Sequence, residues 1–296
     1  MASAIKKIGR GILRAYLTYT PVKKGRYPLM MALHKYFKEP ITVQVKTKDR
    51  GIAVLDLGDE SQYTLYYNMY EWIYLPVINS LVEGTDVVLD IGANIGQYAL
   101  LFAQKAKLIY AFEPSPPMIE RLKKHIEINN LASRVKIVPK ALSDKPGQLR
   151  LSIPSPTNTG MATTIIDEKS GLQTLTIEAI TLDDYLASEG VKKVDIVKMD
   201  IEGGELSALR GMKRLLGGEN PPIVILEMFD KAMQTAGYTS KDIISELQPY
   251  GYQPYQFLRN GKLSSLKGAA IEPRAENYCF LLEEHLKMPK VRRVLE

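Results

Sequence analysis

Carboxylates recur in this 296-residue chain wherever a short apolar run stops. Asp200, Glu202 and Glu205 fall within six residues, directly after Val194-Asp195-Ile196-Val197-Lys198-Met199. Asp90 follows Val87-Val88-Leu89, Glu113 follows Leu108-Ile109-Tyr110-Ala111-Phe112, and Glu227 follows Pro222-Ile223-Val224-Ile225-Leu226. Such runs read as buried parallel strands. The acids therefore collect at the carboxyl edge of one sheet, where open α/β folds bind ligands. Like charges held together raise at least one pKa, which makes a carboxylate a usable base near neutrality. Asp200, Glu202 and Glu227 are the candidate catalytic groups. Glu205 opens a helix, and stabilisation of that helix end accounts for it equally well. The same acids could hold Mg²⁺. Two of the three candidates are glutamates and no Asp-Asn pair closes the fifth strand, so chemistry without a metal is expected.

The three histidines are poorer candidates for the base. His125 falls mid-helix among Lys123, Lys124 and Glu127 and reads as part of a solvated face. His285 is near the end of the chain, and His34 reaches a cleft only if the N-terminal segment folds over it.

The loop that opens the sheet is Asp90-Ile91-Gly92-Ala93-Asn94-Ile95-Gly96, and Gln97 to Ala103 then resumes with helical spacing of apolar positions. Gly92 and Gly96 remove Cβ atoms where a ligand must approach the backbone, and Asn94 tolerates a left-handed conformation. Free N–H groups at the helix start favour a carboxylate or phosphate. The pattern is Asp-x-Gly-x-x-x-Gly, not the dinucleotide Gly-x-Gly-x-x-Gly, which disfavours a nicotinamide-dependent dehydrogenase. An acid just before the first glycine suits a ligand with positive charge, such as the ammonium and sulfonium of S-adenosylmethionine. Glu113, 23 residues after Asp90, is placed to accept both ribose hydroxyls. The expected cofactor contacts are Asp90, Gly92, Asn94, Gly96, Glu113, Ser115, Ala141, Leu142 and Asp200, the alanine and leucine lying beyond the third strand, towards the adenine.

The elements that position these residues alternate strand and helix from residue 86 onward, which predicts a parallel sheet with helices on both faces. Before it, Ile41 to Thr47 and Ile52 to Leu57 flank Lys48-Asp49-Arg50-Gly51 as a hairpin. Tyr63, Tyr66, Tyr67, Tyr70, Trp72 and Tyr74 form an aromatic cluster around Glu71. It reads mainly as packing, although such faces also stack on a sugar or adenine. Gln148 to Ile153 reads as an inserted strand, and 154–171 as a substrate loop or lid. Tyr252 to Leu258 and Tyr278 to Leu282 read as the last strands, with a hairpin between them near Asn260-Gly261. Three segments result: 1–82, a helical and hairpin extension; 83–286, the ligand-binding domain; and 287–296, a basic tail.

Net charge is +6, with Lys6, Lys7, Arg10, Arg14, Lys23, Lys24 and Arg26 crowding one end and Lys287, Lys290, Arg292 and Arg293 the other. Basic ends suit an anionic surface. Ile5, Ile8, Ile12, Leu13 and Tyr16 fall near one face of a helix that either lies on a membrane surface or packs on the main domain, and packing is preferred. The lone Cys279 fits a reducing compartment, no apolar run is long enough to span a bilayer and no signal peptide is read. A cytoplasmic protein, either free or peripheral to a membrane, is the expectation.

Val88-Leu89-Asp90-Ile91-Gly92-Ala93-Asn94-Ile95-Gly96, Ala111-Phe112-Glu113-Pro114, Ala141-Leu142-Ser143-Asp144 and Val197 to Glu205 together resemble the motifs of FkbM-type methyltransferases, in order and over roughly residues 65–285. The resemblance implies a Rossmann-like doubly wound sheet of the class I methyltransferase type, with seven strands and the last antiparallel. It implies S-adenosyl-L-methionine as donor and O-methylation of a hydroxyl on a sugar, glycolipid or secondary metabolite. Residues 1–40 and the basic C-terminus lie outside it. An RNA methyltransferase is the alternative enzyme. No RNA-binding module is present and Asp200-Ile201-Glu202-Gly203 stands where base-methylating enzymes carry Asn-Pro-Pro-Tyr, so nucleic acid is not the expected partner. A non-catalytic nucleotide-binding scaffold at an anionic surface is the other alternative, and the acids after strands four and five argue against it.

Overall fold

A computed structural model describes residues 2–20, 25–37, 39–153, 162–165, 172–267, 271 and 276–296. The chain begins with α1 (Ala2–Tyr19) and α2 (Arg26–Phe37), then the hairpin β1 (Thr42–Lys46) and β2 (Ile52–Asp56), then α3 (Glu60–Tyr66) and α4 (Leu75–Leu81). The alternating region follows: β3 (Val87–Ile91), α5 (Gln97–Phe102), β4 (Leu108–Phe112), α6 (Pro116–Ile128) and β5 (Val135–Val138). A small side sheet holds β6 (Ala141–Leu142), β7 (Gly147–Ser152) and β8 (Thr174–Ile180). The main sheet resumes through α7 (Leu182–Ser188), β9 (Ile196–Met199), α8 (Glu205–Arg210), α9 (Lys213–Leu216), β10 (Ile223–Met228), α10 (Asp230–Thr235) and α11 (Ser240–Leu247). It ends with β11 (Gln253–Phe257), β12 (Leu263–Ser265), β13 (Glu276–Leu281) and α12 (Pro289–Arg292).

The main sheet runs β12-β11-β13-β10-β9-β3-β4-β5. Pairings among β5, β4, β3, β9 and β10 are parallel, and β13 inserts antiparallel between β10 and β11. This is the expected doubly wound sheet with its last strand antiparallel. It carries one strand more than the seven expected: the turn at Asn260-Gly261 joins β11 to the three-residue edge strand β12, and β13 follows later. Alternate strand residues go to opposite faces, as a period of two requires. Val88, Ile109, Ile196 and Ile223 enter the core beneath α4, α5 and α6, while Leu89, Tyr110, Val197 and Val224 enter the core beneath α7, α8 and α11.

The N-terminal extension has a third core, in which Leu13 and Leu17 of α1, Met30 of α2, Ala53 and Leu55 of β2, and Tyr63 and Tyr67 meet Ile95 and Met118 of the main domain. At Gly9 a Cβ would lie 2.4 Å from the Phe37 ring, so the missing side chain is what lets α1 cross α2 closely. The last residues are not a trailing tail. Lys290 makes a buried 2.8 Å ion pair with Asp86, Val291 and Val294 are buried, and Glu296 N–H donates to the Leu263 carbonyl at 3.0 Å.

Candidate functional site

Strand order reverses between β3 and β9, and the crevice outside the strand ends at such a switch point is where these sheets take ligands. Two adjoining depressions open there and share Gly92, Asn94 and Asp200.

The first is walled by Ile91, Phe112, Met118, Leu142 and Leu151, with Glu113 and Ala141 on its lining. Glu113 follows β4 and is buried, its two oxygens accepting Asn94 N–H and Ser115 N–H, each at 2.8 Å. Burial pushes its carboxyl up to about 7, against the pull of those two bonds. The loop beneath is strained in the places glycine or asparagine tolerates: φ is 84° at Gly92, 52° at Asn94 and 98° at Gly96. At Gly92 a Cβ would lie 1.9 Å from the Asp200 carbonyl oxygen, so this glycine allows the β3 loop to lie directly on the β9 loop.

Two parts of the loop differ from the sequence reading. Of the N–H groups at the helix start, that of Ala99 donates to Asp90, and in the loop before the helix Gly92 and Ala93 both donate to the Phe112 carbonyl, at 3.0 and 2.9 Å, and Ile95 donates to Asn94 Oδ1. Gly96 and Ser115 line neither depression. A Cβ at Gly96 would meet Leu122 of α6 at 2.7 Å, so that glycine serves helix packing.

Asp90 lines the second depression, two residues before the Gly92 that both share, and is buried. It pairs in register with Lys198 on the neighbouring strand. Burial raises its carboxyl to about 7, while Lys198 and the Ala99 N–H hold it down. Its Oδ2 is buried without a hydrogen-bond partner among the described residues. A buried carboxylate oxygen lacking a partner is costly, and a cationic ligand supplies what it lacks. With Glu113 placed for ribose hydroxyls and apolar walls for a purine, these residues fit S-adenosylmethionine.

The second depression is lined by Tyr27, Tyr70, Glu71, Tyr98, Asp200, Glu202 and Glu227 among others. Oxygens of Glu71, Asp200 and Glu227 lie within 4.8 Å of one another, close enough to hold a metal ion. A cation is already built in: Lys198 is fully buried, its Nζ 3.7 Å from Asp200 Oδ2 and 4.9 Å from the Tyr98 ring centre. Burial presses the Lys198 ammonium down, but Asp200, Glu71, Glu227 and Asp90 together outweigh it and leave its pKa raised. Glu227 is held well above the usual carboxylate range by burial, by the charge of Asp200 and by a hydrogen bond to it. Glu202, at φ 50°, is raised to about 8 by burial and then by Asp200 and Glu205. Glu205 is turned away from this group. Its oxygens accept Ile201 N–H, Gly203 N–H and Tyr238 O–H at 3.0, 3.0 and 2.7 Å, so it braces the loop.

Glu71 was not legible as a site residue. It lies in the aromatic run before α4, at φ 46°, and accepts the Tyr98 hydroxyl. Burial raises it to about 7, with Lys198 opposing. The only hint in the sequence was a lone acid among aromatics. Tyr63 and Tyr67 pack in the extension core, Tyr70 lines the second depression, and Trp72 and Tyr74 line a separate one that shares Tyr27, Met69 and Glu71 with it. Arg50, in the hairpin turn, is buried, with its guanidinium 5.7 Å over the Tyr70 ring and its Nε donating to the Gln97 carbonyl at 2.8 Å.

All three histidines are buried structural groups. His125, expected on a solvated face, points inward, with Nδ1 2.6 Å from the Ile95 carbonyl and Nε2 accepting Val54 N–H at 2.8 Å. The β hairpin packs over that side of α6, which the helix sequence by itself does not reveal. His285 bridges Leu282 N–H and the Pro221 carbonyl. His34 stacks on Tyr63 at 3.7 Å, away from the cavity. Of the 154–171 segment, Ala162 and Thr164 line the first depression and Thr163 Oγ1 donates to the Glu202 carbonyl at 2.6 Å. Ile165 N–H donates to Thr163 Oγ1 at 3.0 Å, and residues 154–161 and 166–171 lie outside the described residues.

Residues 90–254 match the model of the methyltransferase FkbM domain. The hexuronic acid methyltransferase AglP of Haloferax volcanii is 33% identical over 163 residues, 54% of this chain and 61% of that protein. The 2-O-methyltransferase NoeI of Sinorhizobium fredii is 29% identical over 206 residues, 63% of this chain and 78% of that protein. A crystal structure of methyltransferase FkbM from Methylobacillus flagellatus KT superposes with a TM-score of 0.44 at 17% identity, over 76% of this chain and 56% of that one. The chain spans about 60% of the length of the first curated relatives it matches. Since the domain model takes in 165 of 296 residues, more than half, the chain belongs to the FkbM family of S-adenosylmethionine-dependent methyltransferases.

Proposed function

We propose that the protein O-methylates a hydroxyl of a sugar, glycolipid or secondary metabolite, and that Asp200, Glu202 and Glu227 form the group that takes the hydroxyl proton. One observation carries this reading: a second cavity lined by carboxylates with raised pKa values directly adjoins the depression that fits the donor, and the two meet at Asp200. Bound S-adenosylmethionine supplies an electrophilic methyl group on a sulfonium. The chain's own part is to position, since in-line displacement depends on alignment of the acceptor oxygen. Asp200 lies where both cavities meet and so reaches an acceptor held in the second. A sugar hydroxyl is a weak nucleophile, and a carboxylate within hydrogen-bond reach assists as its proton leaves. Glu227, its pKa held up by burial and by Asp200, keeps its proton in a hydrogen bond to Asp200, and the Asp200 carboxylate accepts the hydroxyl proton as the oxygen–methyl bond forms and the sulfur–methyl bond breaks. Lys198 keeps that charge in place under burial. Polar groups around an aromatic wall, Tyr70 and Tyr98, suit a sugar ring, and two relatives are a hexuronic acid methyltransferase and a 2-O-methyltransferase by name.

Calorimetric titration with S-adenosylmethionine, with NAD as control, tests the donor. Transfer of a labelled methyl group to a panel of sugars, glycolipids and hydroxylated metabolites tests the acceptor. Labelling of an amine or RNA panel in place of the hydroxyl panel would overturn the reading.

A further inference from the structure

We propose that the outer face of α1, together with the start of α2, docks the protein on an anionic lipid bilayer. This goes beyond the methyl-transfer reading and does not depend on it. Ten large apolar side chains are exposed among the described residues, and eight of them lie on α1 and α2. Five form a single stripe, since Ile5, Ile8, Ile12, Tyr16 and Tyr19 follow the three- and four-residue steps of one helix face. Ile5, Ile8 and Ile12 are each more than 60% exposed, while the opposite side of the helix is already used, with Arg10, Leu13 and Leu17 buried against the domain. The stripe is therefore surplus to what holds α1 in place.

Charge decides what covers it. Residues 1–38 contain nine lysines and arginines and no acid, a charge of +9, whereas the whole chain carries +6, so the remaining residues sum to −3. Glu39 pairs with Arg10 at 2.7 Å and approaches Lys6 at 3.9 Å, and Arg14 is held by the Tyr66 and Lys46 carbonyls, which leaves its charge uncompensated. A second copy seated on the stripe would bring two such basic segments together. A bilayer with anionic headgroups takes the isoleucines into its acyl boundary and attracts the basic charge of the segment that carries them. Among the described residues no helix is long and apolar enough to cross a membrane, so the contact is peripheral. The face also adjoins the reaction chamber, because Tyr27 of α2, itself partly exposed, lines the acceptor cavity. A bilayer on this face brings lipid-linked hydroxyls to its mouth.

The test is flotation of the full chain with phosphatidylcholine vesicles, with and without phosphatidylglycerol, beside an Ile8→Glu/Ile12→Glu variant. Both substituted residues touch solvent, so melting temperature and S-adenosylmethionine affinity stay unchanged in the variant, and loss of either donor binding or turnover is read separately from vesicle binding. The expected result is binding only to the anionic vesicles, weakened by salt and reduced about tenfold or more in the variant. Absence of binding by the wild type, or equal binding by the variant, overturns the proposal. So does light scattering that shows a wild-type dimer and a monomeric variant, since a second copy would then cover the stripe.

Discussion

The two halves of the crevice hold their acids in opposite ways. On the donor side Glu113 is fixed by two backbone N–H groups, and Asp90 by one N–H and the facing Lys198. Each acid there accepts from the backbone, and burial is the main cause of its raised pKa, with neighbouring acids adding the smallest contributions at Asp90. On the acceptor side Glu71, Asp200, Glu202 and Glu227 crowd one another, and the pKa values of Glu71, Glu202 and Glu227 rise through burial and through the charges of their neighbours. The first arrangement suits recognition of a ligand whose shape and charge are constant. The second suits chemistry, because a group that must gain and lose a proton near neutrality needs competing charges around it.

The sharpest way to break that contrast is at Asp200, the acid that lines both depressions. Asp200→Ala is expected to lower turnover by roughly a thousandfold or more, since it removes the group facing both cavities, while donor affinity changes only a few-fold. Single-turnover rates and calorimetry read the two effects apart. Wild-type turnover in this variant would take Asp200 out of the chemistry. Glu113→Ala should behave in the reverse sense. If Glu113 accepts the donor's ribose hydroxyls, losing a charged hydrogen-bond acceptor costs about 1.5–3 kcal/mol, or roughly ten- to a hundredfold in donor affinity, with the rate at saturating donor close to that of wild type.

The donor half was largely legible because it is local. Asp90, Gly92, Asn94 and Glu113 are fixed by two strand–loop units, and hydrophobic runs followed by an acid locate such units without knowledge of the rest of the chain. The parallel sheet followed from the same periodicity, whereas its antiparallel last strand was implied only by the resemblance to FkbM-type methyltransferases. The acceptor half was legible only for Asp200, Glu202 and Glu227, which end neighbouring strands. Glu71 and Arg50 come from the extension, and nothing in their local sequence says that the segment folds back over the sheet edge. Burial of His125 was hidden for the same reason: the β2 strand that covers it is more than 65 residues away. Strand β12, three residues at an edge, is too short to show a period.

A smaller effect concerns stability. Asp90 is raised from 3.8 to about 7, so the folded state keeps a proton that the unfolded state releases. That contribution is complete below about pH 4 and is lost as pH rises through 7. Asp90→Asn removes it. In the absence of donor the variant should melt a few degrees above wild type at pH 8 and close to it at pH 4, with weaker donor binding as the accompanying loss. Equal melting at both values would mean that the ionised Asp90 is fully compensated by Lys198.

The acceptor half sets the pH profile. Glu71 lies at about 7 and Glu202 at about 8, and Glu227 is raised with them. A base drawn from this group must be ionised, so kcat/KM should climb between pH 6 and pH 8 and level above, with apparent values that belong to the cluster and not to one residue. Glu71→Gln removes a like charge that contributes to the rise at Glu227, and the climbing limb should move to lower pH. A limb that stays in place while the rate falls would assign Glu71 to positioning the acceptor.

The least expected effect is that of metal removal. Glu71, Asp200 and Glu227 have the spacing to hold a divalent ion, and such an ion would acidify the acceptor hydroxyl directly. Lys198 already places one positive charge in contact with the same carboxylates and is too deeply buried to move aside. A divalent ion added there would sit against an ammonium, and that repulsion works against the gain from three acids. Exhaustive treatment with EDTA should therefore leave turnover within about twofold of the untreated enzyme, and added Mg²⁺ should not raise it. If EDTA abolishes turnover and Mg²⁺ restores it, the three acids are ligands, and the contrast between the halves becomes one between a lysine-paired acid and a metal-paired cluster. Lys198→Met separates the two cases further. Without the ammonium the cluster loses its counter-charge, so a metal-free enzyme should fall in rate and shift its limb to higher pH, whereas a metal-dependent one should bind its ion more tightly.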